Sequence, residues 1–287
     1  MKVPKDYIKC FFTMLFLPTI LFSQTAYKSK QSGLWSDFTT WQRFNGTAWV
    51  NATIGQVPSS TDGTIAIQNN HVVTVNSNIS IDQTTIDSGG RLILSAGTLT
   101  INNGLGTDLI INGTYERISS TSSMTTIGTV DCQNGGVYEH NTAGGSLPTI
   151  SWKDGSILKI KNSVQTNLNQ SFWDVLVEGG TASALTTGDN TSRTMTVRND
   201  FKLLDGTFYL KNGGAVGGTH TLKVQGNFLQ SGGSFAWNSG QTDNNSVVKI
   251  EVERDVIISG GTWNGYVSAT NCECGIFFSR KWNRTNL

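Results

Sequence analysis

One phrase returns along this chain at a nearly fixed interval, and that interval restricts the fold more than any other feature. Val197-Arg198-Asn199-Asp200-Phe201 leads to Asp205-Gly206-Thr207-Phe208. Val224-Gln225-Gly226-Asn227-Phe228 leads to Gly232-Gly233-Ser234-Phe235, and Val252-Glu253-Arg254-Asp255-Val256 to Gly260-Gly261-Thr262-Trp263. The copies begin 27 and then 28 residues apart. Each is an apolar strand, a polar turn, an apolar position and then Gly-Thr/Ser-aromatic. So small a unit cannot bury its own apolar face, whereas stacked copies pair backbones at ~4.8 Å and share one interior. The expected fold is all-β, a right-handed parallel β-helix (β-solenoid) with three-faced coils. A β-sandwich is the alternative, but the repeats lack the regular Asn-Gly or Asp-Gly turns of two-residue hairpins.

The first half uses the same grammar with looser spacing. Leu92 and Leu94 flank Ile93, Gly97-Thr98 leads into Leu99 and Ile101, and Leu109 and Ile111 precede Gly113-Thr114-Tyr115. Period-two alternation over four or five residues indicates half-buried strands. No 3.6-residue apolar pattern extends over ten positions, so helices should be scarce.

The ends read differently. Residues 1–23 have the form of a secretory signal peptide: Lys2, Lys5 and Lys9, a short apolar run from Cys10 to Phe22 broken by Pro18, then Ser23. The run is about half of a ~20-residue membrane span, so no membrane insertion is expected once it is removed. Residues 24–60 hold Trp35, Trp41 and Trp49, and are expected to form an aromatic N-terminal cap over an end that would otherwise template edge pairing. The β-solenoid is assigned to 61–266. From 267 to 287 the grammar stops, and an irregular tail or a truncated end is expected.

Charge and cysteine content exclude several classes. Of 21 basic and 20 acidic residues, 18 and 19 remain without the leader. This near-neutral balance gives no electrostatic footprint for nucleic acid or anionic lipid. Beyond the leader lie Cys132, Cys272 and Cys274, an odd number and no disulfide framework. The Cys-x-Cys pair has no nearby His, so these read as incidental thiols.

No recognisable catalytic site is visible. Nucleophilic catalysis needs a base beside the nucleophile, and His71, His140 and His220 sit in no such setting. Zinc-type motifs are missing, and Gly213–Gly218 lacks the aspartate of calcium-binding repeats. No metal, cofactor or catalytic residue is therefore expected. One column invites a second reading. Asp200, Asn227 and Asp255 should lie above one another, with the outer two about 10 Å apart, near the ~6.5–9.5 Å of an inverting carboxylate pair. That would suit a polysaccharide lyase or glycoside hydrolase, but aligned Asn and Asp commonly bond the turn backbone instead. Tyr115, Tyr209, Trp237 and Trp263 lie near strand ends, where flat faces could stack on a glycan; filling the core is the competing role.

Two stretches resemble known families. Ser32-Gly33-Leu34-Trp35-Ser36-Asp37, Thr40-Trp41, Pro58, Asp62 to Ile67 and His71-Val72-Val73-Thr74-Val75 together resemble the opening of the eight-glycine extracellular domain. Gly135 to Asn141, Gly145 to Trp152 and Gly155 to Ile160 are similar to a phrase in large secreted β-helix surface proteins of Bacteroidetes, exported by type IX secretion. The usual C-terminal sorting domain of those proteins is not visible. The resemblance implies a secreted or cell-surface location and a repetitive scaffold, and no particular reaction. The expected function is thus a non-catalytic, adhesin-like extracellular β-solenoid, with weak binding to extracellular glycan or cell-surface matrix.

Overall fold

The computed structural model describes residues 24–164, 166–186, 192–212, 218–238, 247–264 and 273–278. The leader at 1–23, Cys272 and the Gly213–Gly217 stretch lie outside them. Among the described residues every regular element is a strand, apart from one 3-10 turn at Phe38–Thr40.

Strand pairing is parallel almost throughout. Among the described residues only Tyr27–Ser29 with Trp41–Phe44, and Trp41–Phe44 with Trp49–Asn51, run antiparallel. A sandwich of hairpins needs antiparallel neighbours, so that alternative falls. The strands form an eight-stranded, a twelve-stranded, a three-stranded and a five-stranded sheet. The chain visits them in rotation. Ile65–Ile67, Val72–Val75 and Ile79–Ile81 enter the first three sheets in turn. Thr84–Ile86, Arg91–Leu94 and Thr98–Ile101 return to the same three, each beside its predecessor. A third pass adds Leu109–Ile111, Thr114–Arg117 and Ser123–Thr126. After Trp152 the pattern simplifies. Ser171–Phe172, Arg193–Val197, Thr219–Val224, Val247–Val252 and Glu273–Phe278 build the five-stranded sheet, alternating with strands of the twelve-stranded one.

Alternation along each strand sends every second side chain inward, and parallel register stacks those side chains in columns. Val73, Leu92, Tyr115, Tyr138, Leu158, Val175, Phe201 and Phe228 are successive register partners and all are buried. Ile67, Ile86, Ile111 and Cys132 form another such column. The repeat is kept in space as well. Val197 pairs with Val224, and Val224 with Val252. The ladder continues past Tyr266, where an irregular tail was expected: Glu273–Phe278 pairs with Val247–Val252 over six residues. Backbone pairing needs only an extended chain, so a layer can be added without the repeated phrase.

The N-terminal segment closes one end. Tyr27 pairs with Ile65 and Gly33 with Val73, so two cap strands cover the edges of two sheets. Trp35 and Trp41 are buried and meet edge to face at 4.8 Å. Their indole N–H groups donate to the carbonyls of Pro58 and Trp35, both at 2.9 Å. Trp49 departs from the expected role. It lies 39% exposed on the outer antiparallel strand, beneath the Lys28 ammonium at 4.5 Å.

In the second half the twelve-stranded sheet turns a corner at Gly180, Gly206, Gly233 and Gly261, each with positive φ. At Gly206 φ is +79°, and a Cβ there would stand 2.5 Å from the Gly179 carbonyl carbon and 2.6 Å from the Gly180 oxygen. The corners of neighbouring layers therefore rest on each other's bare backbone. This is why the repeated phrase carries glycine before Thr or Ser.

Candidate functional site

The column of Asp200, Asn227 and Asp255 forms as the repeat spacing predicts, and its hydrogen bonds run between layers. Asp200 Oδ1 accepts from the Asn227 backbone N–H at 2.9 Å and from Asn227 Nδ2 at 3.0 Å. Asn227 Oδ1 in turn accepts from the Asp255 N–H at 3.3 Å. The column reaches one layer further, because Asp174 Oδ1 accepts from the Asp200 N–H at 3.0 Å. Asp174 follows Trp173 rather than the repeated phrase, so spacing alone did not reveal it. The side chains of Asp174, Asp200 and Asn227 are each occupied by the next layer's backbone, which is turn chemistry, while Asp255 is exposed.

A denser charged cluster, unforeseen from sequence, lies on the outer face of the twelve-stranded sheet. Glu116 and Glu139 are register partners with side chains only 7% and 4% exposed. Arg91 Nη2 reaches Glu116 Oε2 at 2.5 Å and Glu139 Oε2 at 2.8 Å. Lys161 pairs with the other Glu139 oxygen, and Asn141 Nδ2 donates to Glu116 Oε1 at 2.9 Å. Two carboxylates with Arg and Lys could suit a glycan-cleaving site. Here, however, they face one another's cations, and no bonded oxygen is turned toward an open groove. The only sequence signal was that Glu116 and Glu139 sit at equivalent strand positions 23 residues apart, with Arg91 two residues before their register partner Ile93 in the preceding layer.

Asp82 and Asp108 form a third carboxyl arrangement, with proton affinities driven apart. Burial, then a hydrogen bond with Asp108, raises Asp82. Burial also raises Asp108, but the Thr129 and Gly104 amides outweigh it and hold it below the usual range. Such pairs can mark acid–base sites. This one is jammed against backbone: a Cβ on Gly104 would meet Asp82 at 2.2 Å, and one on Gly128 would meet Asp108 at 2.2 Å. Both carboxyl groups are thus packed against glycine backbone, and Asp108 is committed to the Gly104 and Thr129 amides.

The histidines are structural in their surroundings. His71 Nδ1 lies 2.8 Å from the Ser29 hydroxyl, tying the cap to the next layer. His220 is buried in strand Thr219–Val224. His140 points inward from Val137–His140, its Nε2 3.1 Å from the carbonyls of Gly144 and Ser163. Both partners accept, so Nε2 carries a proton. Burial, with Arg117 nearby, lowers its pKa from 6.5 to about 4. The unfolded imidazole takes up a proton near 6.5, so acidification between those values favours unfolding. His140 contributes fully above pH 6.5 and loses that contribution as pH falls toward 4, about 3 kcal/mol at most. A His140→Gln variant should show a flatter decline in stability across that window, read by urea unfolding at stepped pH.

The aromatic candidates divide. Tyr115 and Trp237 are buried, which removes both as sugar platforms; they fill the interior instead. Trp263 is half-buried and stacks on Phe235 at 4.6 Å. Tyr209 is half-buried on its strand. Cys132 is buried in the Ile67 column, and burial pushes its thiol up to about 12, which makes it an inert core residue. Cys274 contributes its backbone to the ladder opposite Val248.

One cleft does open. The three-stranded sheet ends at Ser123–Thr126, and the next layer supplies the segment Ser146–Thr149 instead of a fourth strand. Between them lies a cleft of about 680 Å³, floored by Met124, Val130 and Leu147. An adjoining cavity of about 210 Å³ shares Met124, Leu147 and Pro148 with it and reaches Arg117 and Tyr138. Arg117 faces inward and is only 8% exposed. Its Nε lies 3.4 Å from the Ser122 hydroxyl, Nη1 donates to the Ser146 carbonyl at 3.3 Å, and Nη2 to the Ser122 carbonyl. Gly145, at φ +89°, leaves room for it: a Cβ there would meet Nη1 at 2.9 Å.

No known protein family, curated protein or solved structure matches the chain. Function must be argued from the residues themselves.

Proposed function

We propose that the protein is a secreted, non-catalytic parallel β-solenoid, right-handed in its winding, that serves as a structural or adhesin-like element at the cell surface. The observation that carries this reading is the column in which Asp174, Asp200 and Asn227 side chains bond the backbone of the adjoining layer instead of facing a ligand. The Glu116–Arg91–Glu139 cluster supports it, since its carboxylates are held by their own cations. The signal-like form of residues 1–23 and the resemblance to type IX secretion cargo support export. An extracellular glycan or matrix component is the partner class that accompanies this reading. The burial of Tyr115 and Trp237 weakens stacking as the mode of contact.

The test is to incubate the purified protein with pectate, alginate, xylan and chitin while following unsaturated uronates and new reducing ends. No turnover is expected. Turnover that disappears in Asp200→Asn or Glu139→Gln would replace the scaffold reading with a polysaccharide-degrading enzyme. Protease treatment of intact producing cells should degrade the protein; full protection would remove the surface location.

A further inference from the structure

We infer that the cleft beside Ser123–Thr126 is a docking slot for an extended acidic peptide segment, which adds as a strand to the open edge and sets a carboxylate against Arg117. Ser123–Thr126 pairs with Thr98–Ile101 on one side only. In a parallel ladder the N–H and C=O of one residue point to the same side, and successive residues alternate. The Ser123 and Ile127 amides bond back to Gly97 and Ile101, at 3.0 and 2.9 Å. Met124 and Thr126 therefore aim their N–H and C=O groups into the cleft, spaced as a partner strand requires.

The opposite wall cannot fill that need. Leu147 N–H donates to the Thr166 carbonyl at 3.1 Å, Asn167 Nδ2 occupies the Leu147 carbonyl, and Gln170 Nε2 occupies that of Pro148. Pro148 has no amide to offer. One wall is thus satisfied and the other is not, the arrangement into which an added strand fits.

Charge selects the occupant. Arg117 is more than nine-tenths buried, and among the described residues no carboxylate lies within ion-pair distance of it. Three of its five N–H donors are used, on one hydroxyl and two carbonyls. One hydrogen on each terminal nitrogen is left for a carboxylate, the anion its fork suits best. Asp131 also lines the wider part, but Lys153 pairs with it at 3.2 Å. Apolar contacts are available too: Met124, Val130 and Leu147 line the cleft. The strand-spaced backbone groups favour a peptide over a uronic-acid glycan, since no flat exposed aromatic lines the cleft. This inference does not depend on the scaffold reading; an enzyme could carry the same slot.

The probes are fluorescein-labelled octapeptides alternating Thr and Val, with one Glu placed at each position in turn, and the same set with Gln. At least one Glu peptide should bind, measured by anisotropy, about tenfold more tightly than its Gln twin. Arg117→Gln should erase that difference, and Thr126→Pro, which removes an amide facing the cleft, should abolish binding of both. Proline is tolerated at such an edge position. As a readout that needs no variant, exchange of the Met124 and Thr126 amides should be fast in the free protein and slowed by the peptide. Equal binding of Glu and Gln peptides, no binding by any peptide, amides already protected without one, or binding of oligogalacturonate in their place would each overturn the assignment.

Discussion

Gly206→Ala should lower the unfolding free energy by about 3 kcal/mol or more, although it adds a single methyl group. Two costs combine. A left-handed conformation costs an L-residue roughly 1–2 kcal/mol. The added carbon also lands 2.5 Å from the Gly179 carbonyl carbon and 2.6 Å from the Gly180 oxygen, both main-chain atoms in a bulge held between the paired stretches Val175–Glu178 and Thr181–Thr186. Backbone held on both sides cannot swing away as a side chain could, so the layers must separate locally. Gly46 supplies the control. Its φ is +99°, but nothing lies within 4 Å of the position its Cβ would take. Gly46→Ala should lose only the conformational part, about 1 kcal/mol. Urea unfolding of the two variants beside the parent isolates the contact between layers. Equal losses would mean that the corners do not touch.

A comparable loss, about 3 kcal/mol, is expected for Arg91→Met. The methionine keeps most of the aliphatic stem but leaves Glu116 and Glu139, side chains 7% and 4% exposed, without the cation they share. Removing one partner from buried ions costs more than the pair contributes, because the desolvation penalty remains. Lys161 still faces Glu139 and Asn141 still faces Glu116, so the loss should stop short of unfolding. Adding Glu116→Gln and Glu139→Gln to Arg91→Met should restore part of the stability. Thermal unfolding of the single and triple variants measures this directly. A triple variant weaker than Arg91→Met would show that the carboxylates stabilise the sheet by themselves.

Stacking was readable from sequence because it rests on periodic identity. Val197, Val224 and Val252 share one apolar position and one turn, and nothing but a neighbouring copy can satisfy both. The turn column was readable for the same reason, as far as the phrase extends. Asp174 escaped because the layer that carries it does not repeat the phrase. Glu116 and Arg117 were harder still. Alternation says which face a residue takes, and it places Arg117 inward, where a charge is normally costly. Only the interruption after Ser123–Thr126, with its free carbonyls at Ser122 and Ser146, makes that placement affordable. Tyr115 and Trp237 take the core-filling one of the two roles left open, since a strand end says nothing about whether a wide ring turns in or out. The loss of the three-stranded sheet after its third strand has no local signature, since Ser146–Thr149 reads like any other turn.

The four sheets do not all run the length of the stack. The eight-stranded sheet ends at Ser151–Trp152, and the five-stranded one begins at Ser171–Phe172. Across that junction Ile157–Ile160 pairs with Asp174–Val177, Ser146 forms a parallel bridge to Thr166, and the Trp152 and Phe172 rings meet at 5.0 Å. Side chains reinforce the seam: Asn167 and Gln170 hold the Leu147 and Pro148 carbonyls, and Arg198 reaches back across it to Asp154.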